Sequence, residues 1–144
     1  MLPGTLETKI LSIFFNMTPT PDEMLGKLIS LSPESPSFKK QWEDEDNISK
    51  DDDGTFSLHG LFTEFSWFVR DNFHHFSEQQ RRELFYFIES WVCPIGQDYD
   101  ALDNAICACF LENLSCEPPL SGQLRGYMGP NSLEFFDLWD RPRV

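Results

Sequence analysis

Apolar residues recur three and four positions apart along most of this chain, and nowhere alternate for long enough to mark a strand. Leu6, Ile10, Ile13, Phe14 and Met17 predict a first helix over Thr5 to Met17, which Thr18-Pro-Thr-Pro21 breaks. Thr20 then has the features of an N-cap, with Pro21 at the first helical position and Glu23 three residues on, a capping box. Met24, Leu25, Leu28, Ile29 and Leu31 give that second helix its buried face, and Ser32 to Ser37 ends it. The strongest pattern runs from Phe56 to Phe76, where Leu58, Leu61, Phe62, Phe65, Phe68, Val69, Phe73 and Phe76 form a wide stripe. Such a stripe belongs at the centre of a core rather than around a ligand.

Ser77 and Gln80 form a second capping box. The helix it opens carries Leu84, Phe85, Phe87, Ile88, Trp91 and Val92, and Pro94 and Gly96 close it. A further helix runs from Asp100 or Ala101 to Leu114, burying Leu102, Ala105, Ile106, Cys109, Phe110 and Leu114, and stops at Glu117-Pro-Pro119. After a short apolar segment, Leu120 to Met128, Gly129-Pro-Asn-Ser132 starts a last helix with Leu133, Phe135, Phe136, Leu138 and Trp139. Arg141-Pro-Arg143 finishes the chain. The pattern predicts an all-α fold, an irregular bundle of about six or seven helices with no sustained sheet. No motif returns at a fixed period, which argues against a solenoid.

Only Ser32 to about residue 55 lacks periodicity. A connection that long is usually functional or mobile. Phe38, Trp42 and Ile48 are placed to pin it at intervals. Within it, Trp42 to Gly54 reads WEDEDNISKDDDG: Glu43, Asp44, Glu45, Asp46, Asp51, Asp52 and Asp53 against Lys50 alone, a local net charge of −6. Part of this run imitates a calcium loop, with Asp51, Asp53 and Gly54 at the relative positions of two ligands and the turn glycine. Ser49 where the first carboxylate belongs, and Gly60 where a bidentate Glu belongs, argue against that. Asp53 or Thr55 could instead cap the Phe-rich helix, and nearby acids suit its positive end. Capping uses one or two acids, not seven. The self-repulsion of the rest would be relieved by a basic partner.

At 144 residues the chain predicts one domain over 1–144, with the acidic loop at about 32–55. Hydrophobic residues make up 40%, enough for a core, and 14 Phe and 4 Trp make that core aromatic. The formal charge of −13 disfavours nucleic acid and anionic membrane surfaces as partners. Met1 to Met17 lacks the regions of a signal peptide, no apolar run is long enough to span a bilayer, and the expected location is the cytoplasm.

Catalytic chemistry finds little support. Cys93, Cys107, Cys109 and Cys116 match no zinc spacing, and Cys107 and Cys109 point about 200° apart on a helix. Cys93, before Pro94, is a candidate reactive thiol with no base or positive neighbour nearby in sequence. His74 and His75 are adjacent, not the i, i+4 pair zinc prefers, and His59 stands apart. There is no GxSxG, no Gly-rich phosphate loop and no HExxH. The expectation is a protein that is not an enzyme, with no cofactor and no metal.

Ala105-Ile-Cys-Ala-Cys-Phe-Leu-Glu-Asn-Leu114, Leu124-Arg-Gly-Tyr-Met-Gly-Pro-Asn-Ser132 and Phe135-Phe-Asp-Leu-Trp-Asp140 carry a resemblance. They resemble small bacterial all-helical proteins with an AV-x-x-x-FLE-x-L … LGP-x-S/T … W pattern, a group of largely uncharacterised function. Several look like immunity proteins carried beside secreted antibacterial toxins. The resemblance spans residues 56 to 140, with Met128 where Leu is usual, and leaves the acidic loop unmatched. It implies an immunity protein that binds a cognate toxin with a basic surface and occludes its active site or substrate groove. On that view the seven acids steer the encounter and Trp42 is the aromatic anchor. The other expectation is a helical regulatory or adaptor module that holds a partner helix or peptide in an apolar groove.

Overall fold

The computed structural model describes residues 19–94 and 100–139. The helix expected over Thr5 to Met17, the helix stop at Gly96 and the finish of the chain at Arg141 to Arg143 lie outside the described residues. Seven helices follow one another among those described: α1 (Pro21–Ser30), α2 (Phe38–Glu43), α3 (Leu58–Asn72), α4 (Glu78–Trp91), α5, α6 (Leu120–Arg125) and α7 (Pro130–Trp139). α5 is one continuous run, Ala101–Ala105, a π segment Ile106–Leu111, and Glu112–Ser115. No described residue is in a strand.

Both capping boxes form. The Thr20 hydroxyl accepts from the Glu23 N–H at 3.1 Å while the Glu23 carboxylate accepts from the Thr20 N–H at 3.1 Å. Those bonds hold the Glu23 carboxyl below its usual range. Ser77 and Gln80 repeat the arrangement at 3.1 and 2.8 Å. The Phe-rich helix is capped differently from expectation. Its cap is Ser57, whose hydroxyl accepts from the Gly60 N–H at 3.0 Å, not Asp53 or Thr55. Thr55 is already committed to the turn before it, so the chain runs extended to Ser57 before it coils. Phe56 therefore lies outside the helix, edge-on to Trp42 at 4.7 Å between centroids.

α3 is the hub. Leu61, Phe62, Phe65, Phe68 and Val69 are buried. Phe65 stacks on Phe110 of the π segment at 5.6 Å and 17°, and meets Phe38 of α2 edge-on at 4.9 Å. Phe68 packs on Phe38 at 5.3 Å and on Phe76 at 6.0 Å. Each such ring contributes roughly 1.5–3 kcal/mol by burial alone. The π segment was not predicted and changes which α5 residues face inward. Cys107 is buried, while Cys109, expected inside, is only partly buried. A π turn shifts the helix register by a residue, which widens the inward face. The Asn113 side chain donates to the Cys109 carbonyl at 2.7 Å and to the Ser66 hydroxyl at 3.2 Å, tying this turn back to α3.

The Gly129-Pro-Asn-Ser132 motif is a cross-helix clamp. The Glu89 carboxylate, on α4, accepts from the Asn131 and Ser132 N–H groups at 2.9 Å each and from the Ser132 hydroxyl at 2.7 Å. It thus fills the positive N-terminus of α7 with a side chain from another helix. Asn131 in turn donates from its side chain to the Val92 carbonyl at 3.1 Å, closing the end of α4. Gly129 is required by proximity: a Cβ there would lie 2.4 Å from Glu89 side-chain carbons. Gly129→Ala should cost about 1–3 kcal/mol in urea unfolding, and Glu89→Ala a similar amount. In the Glu89→Ala background, where the obstructing carbons are gone, Gly129→Ala should cost clearly less; equal costs in both backgrounds would refute the clamp.

Candidate functional site

The acidic stretch is anchored at both of its ends. α2, which the sequence pattern missed, begins at Ser37, whose hydroxyl accepts from the Lys40 N–H at 3.3 Å. It buries Phe38 and Trp42. Six residues are too few for periodicity to stand out, but the i, i+4 spacing of those two rings was the signal. Trp42 is 4% exposed, its ring against Phe56 and Phe38, with the Lys50 ammonium 5.9 Å from its centroid. The expectation of Trp42 as a partner-facing anchor is therefore corrected: it pins the loop from inside. Ile48, expected as a pin, is 83% exposed. The turn before it turns the chain outward: the Asn47 N–H donates to the Asp44 carbonyl at 3.0 Å, and the Asn47 side chain donates to the Trp42 carbonyl at 2.8 Å.

All seven acids, Glu43, Asp44, Glu45, Asp46, Asp51, Asp52 and Asp53, are exposed. None takes part in the ion pairs found among the described residues, Arg70–Asp71, Arg82–Glu78 and Arg125–Asp137. They form two groups. Asp51 to Asp53 sit on a tight turn in which the Asp51 N–H donates to the Thr55 carbonyl at 2.8 Å and Gly54 takes φ +86°. Only glycine adopts that conformation cheaply. The Thr55 hydroxyl lies 2.6 Å from Asp53 Oδ1 and 3.2 Å from Asp51 Oδ2. Asp51 and Asp53 thus converge on a hydroxyl, and Thr55 holds the Asp53 carboxyl below its usual range. Among the described residues, no three His, Cys, Asp or Glu side chains are grouped to hold a metal ion.

The second group opens onto a cleft of about 350 Å³ between the loop and α3. Asp44, Asp46, Asn47 and Ile48 line one side, Gln41, Glu64 and Trp67 the other. Glu64 is only 7% exposed and accepts from the Gln41 side-chain amide at 2.7 Å. Trp67 is partly exposed and also borders a second cleft of about 290 Å³ with Arg70, Asn113 and Glu117. Sequence reasoning passed over both residues. The signals were there: Trp67 is a large aromatic off the apolar stripe, and Glu64 is a carboxylate at the stripe's spacing from Leu61 and Phe68.

A separate apolar groove of about 540 Å³ lies between α1 and α4, lined by Lys27, Leu31, Phe87 and the 81% exposed Tyr86. Two of the thiols, Cys93 and Cys107, lie beside Asp103. The Asp103 carboxylate accepts from the Cys93 N–H at 3.0 Å and lies 3.6 Å from the Cys107 sulfur. Burial, then Asp103, pushes the Cys107 thiol up to about 12, and burial with Asp103 and Asp100 raises Cys93. These are thiols at neutral pH, unsuited to attack. The His59 ring lies 3.0 Å from the Asn104 amide, and the His74 and His75 rings are 4.0 Å apart at the helix end. Among native-state cysteines at pH 8, iodoacetamide should label exposed Cys116 first and Cys107 only after denaturation; early labelling of Cys107 would contradict its placement.

This architecture is helical among the described residues and places seven of the chain's 24 acids on one anchored loop. The chain belongs to the family described as a domain of unknown function, DUF7674, whose profile matches residues 30–142. Searches of curated proteins and of solved structures return no match. The family takes in the acidic loop and α2 through α7 but leaves out nearly all of α1. No helix among the described residues is long and apolar enough to cross a membrane.

Proposed function

We propose that this protein is an immunity protein that binds a cognate antibacterial toxin and occludes its active site or substrate groove, with no chemistry of its own. The observation that carries this reading is the acidic loop: seven exposed carboxylates, none in an ion pair found among the described residues, held on a loop anchored by buried Trp42 and partly buried Phe56. Ordered charge is more useful to a binder than mobile charge, because less entropy is lost at the interface. A toxin that acts on nucleic acid needs a basic surface, and an anionic loop competes for that surface and accelerates encounter. The raised thiols of Cys93 and Cys107 make those two cysteines poor nucleophiles, which favours a binding role.

The groove between α1 and α4, with Tyr86 exposed at its edge, favours a second reading, a regulatory or adaptor module that takes an apolar helix or peptide. Salt separates the two. Steered charge pairing weakens steeply with ionic strength, whereas groove binding depends on it little.

Co-expression with the protein encoded beside it is the direct test. Relief of growth inhibition together with a stable complex is the expected result, and absence of both overturns the immunity reading. Within such a complex, replacing the seven acids by their amides should slow association about 10- to 100-fold at low salt. Thermal unfolding of that variant should remain close to that of the parent. An unchanged association rate would reduce the loop to a linker.

A further inference from the structure

We infer that the cleft between the acidic loop and α3 takes the guanidinium of an arginine side chain presented by the protein partner. This inference rests on the reading of the chain as a binder of a basic protein. Acidity alone would not make the cleft a site; the buried carboxylate of Glu64 does. Glu64 is more than nine-tenths buried, yet among the described residues no cation pairs with it. One of its oxygens, Oε2, receives the Gln41 amide, and no described donor is bonded to Oε1. Oε1 is not among the sealed, unpartnered atoms of the described interior, where Arg81 Nε stands alone, so it opens to the cleft that Glu64 lines. A buried carboxylate without a counter-charge is costly unless a cation reaches it.

The rest of the lining specifies which cation. Several donors of the lining are engaged within it: the Gln41 amide on Glu64, the Asn47 amide on the Trp42 carbonyl, the Asp46 N–H on Asp44. What faces the cleft is an excess of acceptors from Asp44, Asp46 and Glu64, beside the Trp67 ring and the aliphatic Ile48. A group with donors only, planar enough to lie along an indole and forked enough to reach two carboxylates, is a guanidinium. An ammonium would meet the charge but not the shape. Two basic residues of adjoining segments are engaged elsewhere: Arg70 is held by Asp71 at 2.9 Å, and Lys50 lies over Trp42. A cleft of about 350 Å³ has room for one such side chain.

The test uses the full chain, isotopically labelled, titrated at low salt with N-acetyl-arginine N-methylamide, its lysine counterpart and sodium chloride. The expected result is saturable NMR shifts at the Trp67 indole N–H, the Gln41 side-chain amide and the Ile48 backbone. The lysine probe should bind at least about five-fold more weakly. Glu64→Gln should weaken the arginine probe about ten-fold or more. Should Glu64→Gln disturb the fold, Trp67→Leu, at a partly exposed position, serves instead and should also weaken binding. Equal shifts with all three titrants, or unchanged arginine affinity in the variant that folds, overturn the inference. If the arginine probe fails while the seven-amide variant still associates slowly with the partner, only the cleft's occupant is wrong. If both fail, the anionic-binder reading falls with it.

Discussion

Everything in this molecule is organised around the aromatic seam between α3 and the π segment of α5, where Phe65 lies flat against Phe110. Flat stacking of two large rings fixes the distance and the rotation of both helices at once. From that seam α3 reaches Phe38 on one side and, through Phe68, Phe76 on the other, so α2 and the turn into α4 are set by the same stripe. The acidic loop inherits its position from this arrangement. It leaves α2 one residue after Trp42 and rejoins α3 at Ser57, both fixed by rings that touch one another or the stripe.

The charge on the loop and the rigidity beneath it belong to one physical problem. Seven like charges within a short span repel one another, and a free loop would expand to separate them. Here local hydrogen bonds oppose that expansion: Asp44 takes the Asp46 N–H, Asn47 takes the Ser49 N–H, and Asp51 with Asp53 takes Thr55. Gly60 lets the helix approach the loop closely, since a Cβ there would sit 3.0 Å from the Ser49 carbonyl oxygen. The outcome is a concentrated anionic surface kept in shape before any partner arrives, which favours fast and selective association over adaptable association.

Much of the fold was legible in the sequence because its signals are local. The Thr20 and Ser77 capping boxes and the Phe stripe of α3 are each decided within a few residues, and Gly129-Pro-Asn-Ser132 marks a helix start locally although its Glu89 partner is distant. What escaped depends on partners distant in the chain. α2 is too short to declare a period, and its burial is decided by Phe65 and Phe68. The π turn in α5 leaves no mark in the spacing of apolar residues. The true cap of α3 is Ser57 because Thr55 is bound to Asp51 and Asp53, a competition visible only in three dimensions. The site was half legible: the seven acids stand out, but Trp42 was assigned outward when the core claims it, and the outward tryptophan is Trp67.

The two stems of the acidic loop have a consequence for how such a domain can diversify. Trp42 and Phe56 touch each other across the loop's base, and between them the Asn47 amide on the Trp42 carbonyl and the Ser49 carbonyl against Gly60 add two further ties to the body. The turn from Asp51 to Thr55, by contrast, hydrogen-bonds within itself. That tip is the part of the segment whose length and charge can vary while the helices beneath keep their register.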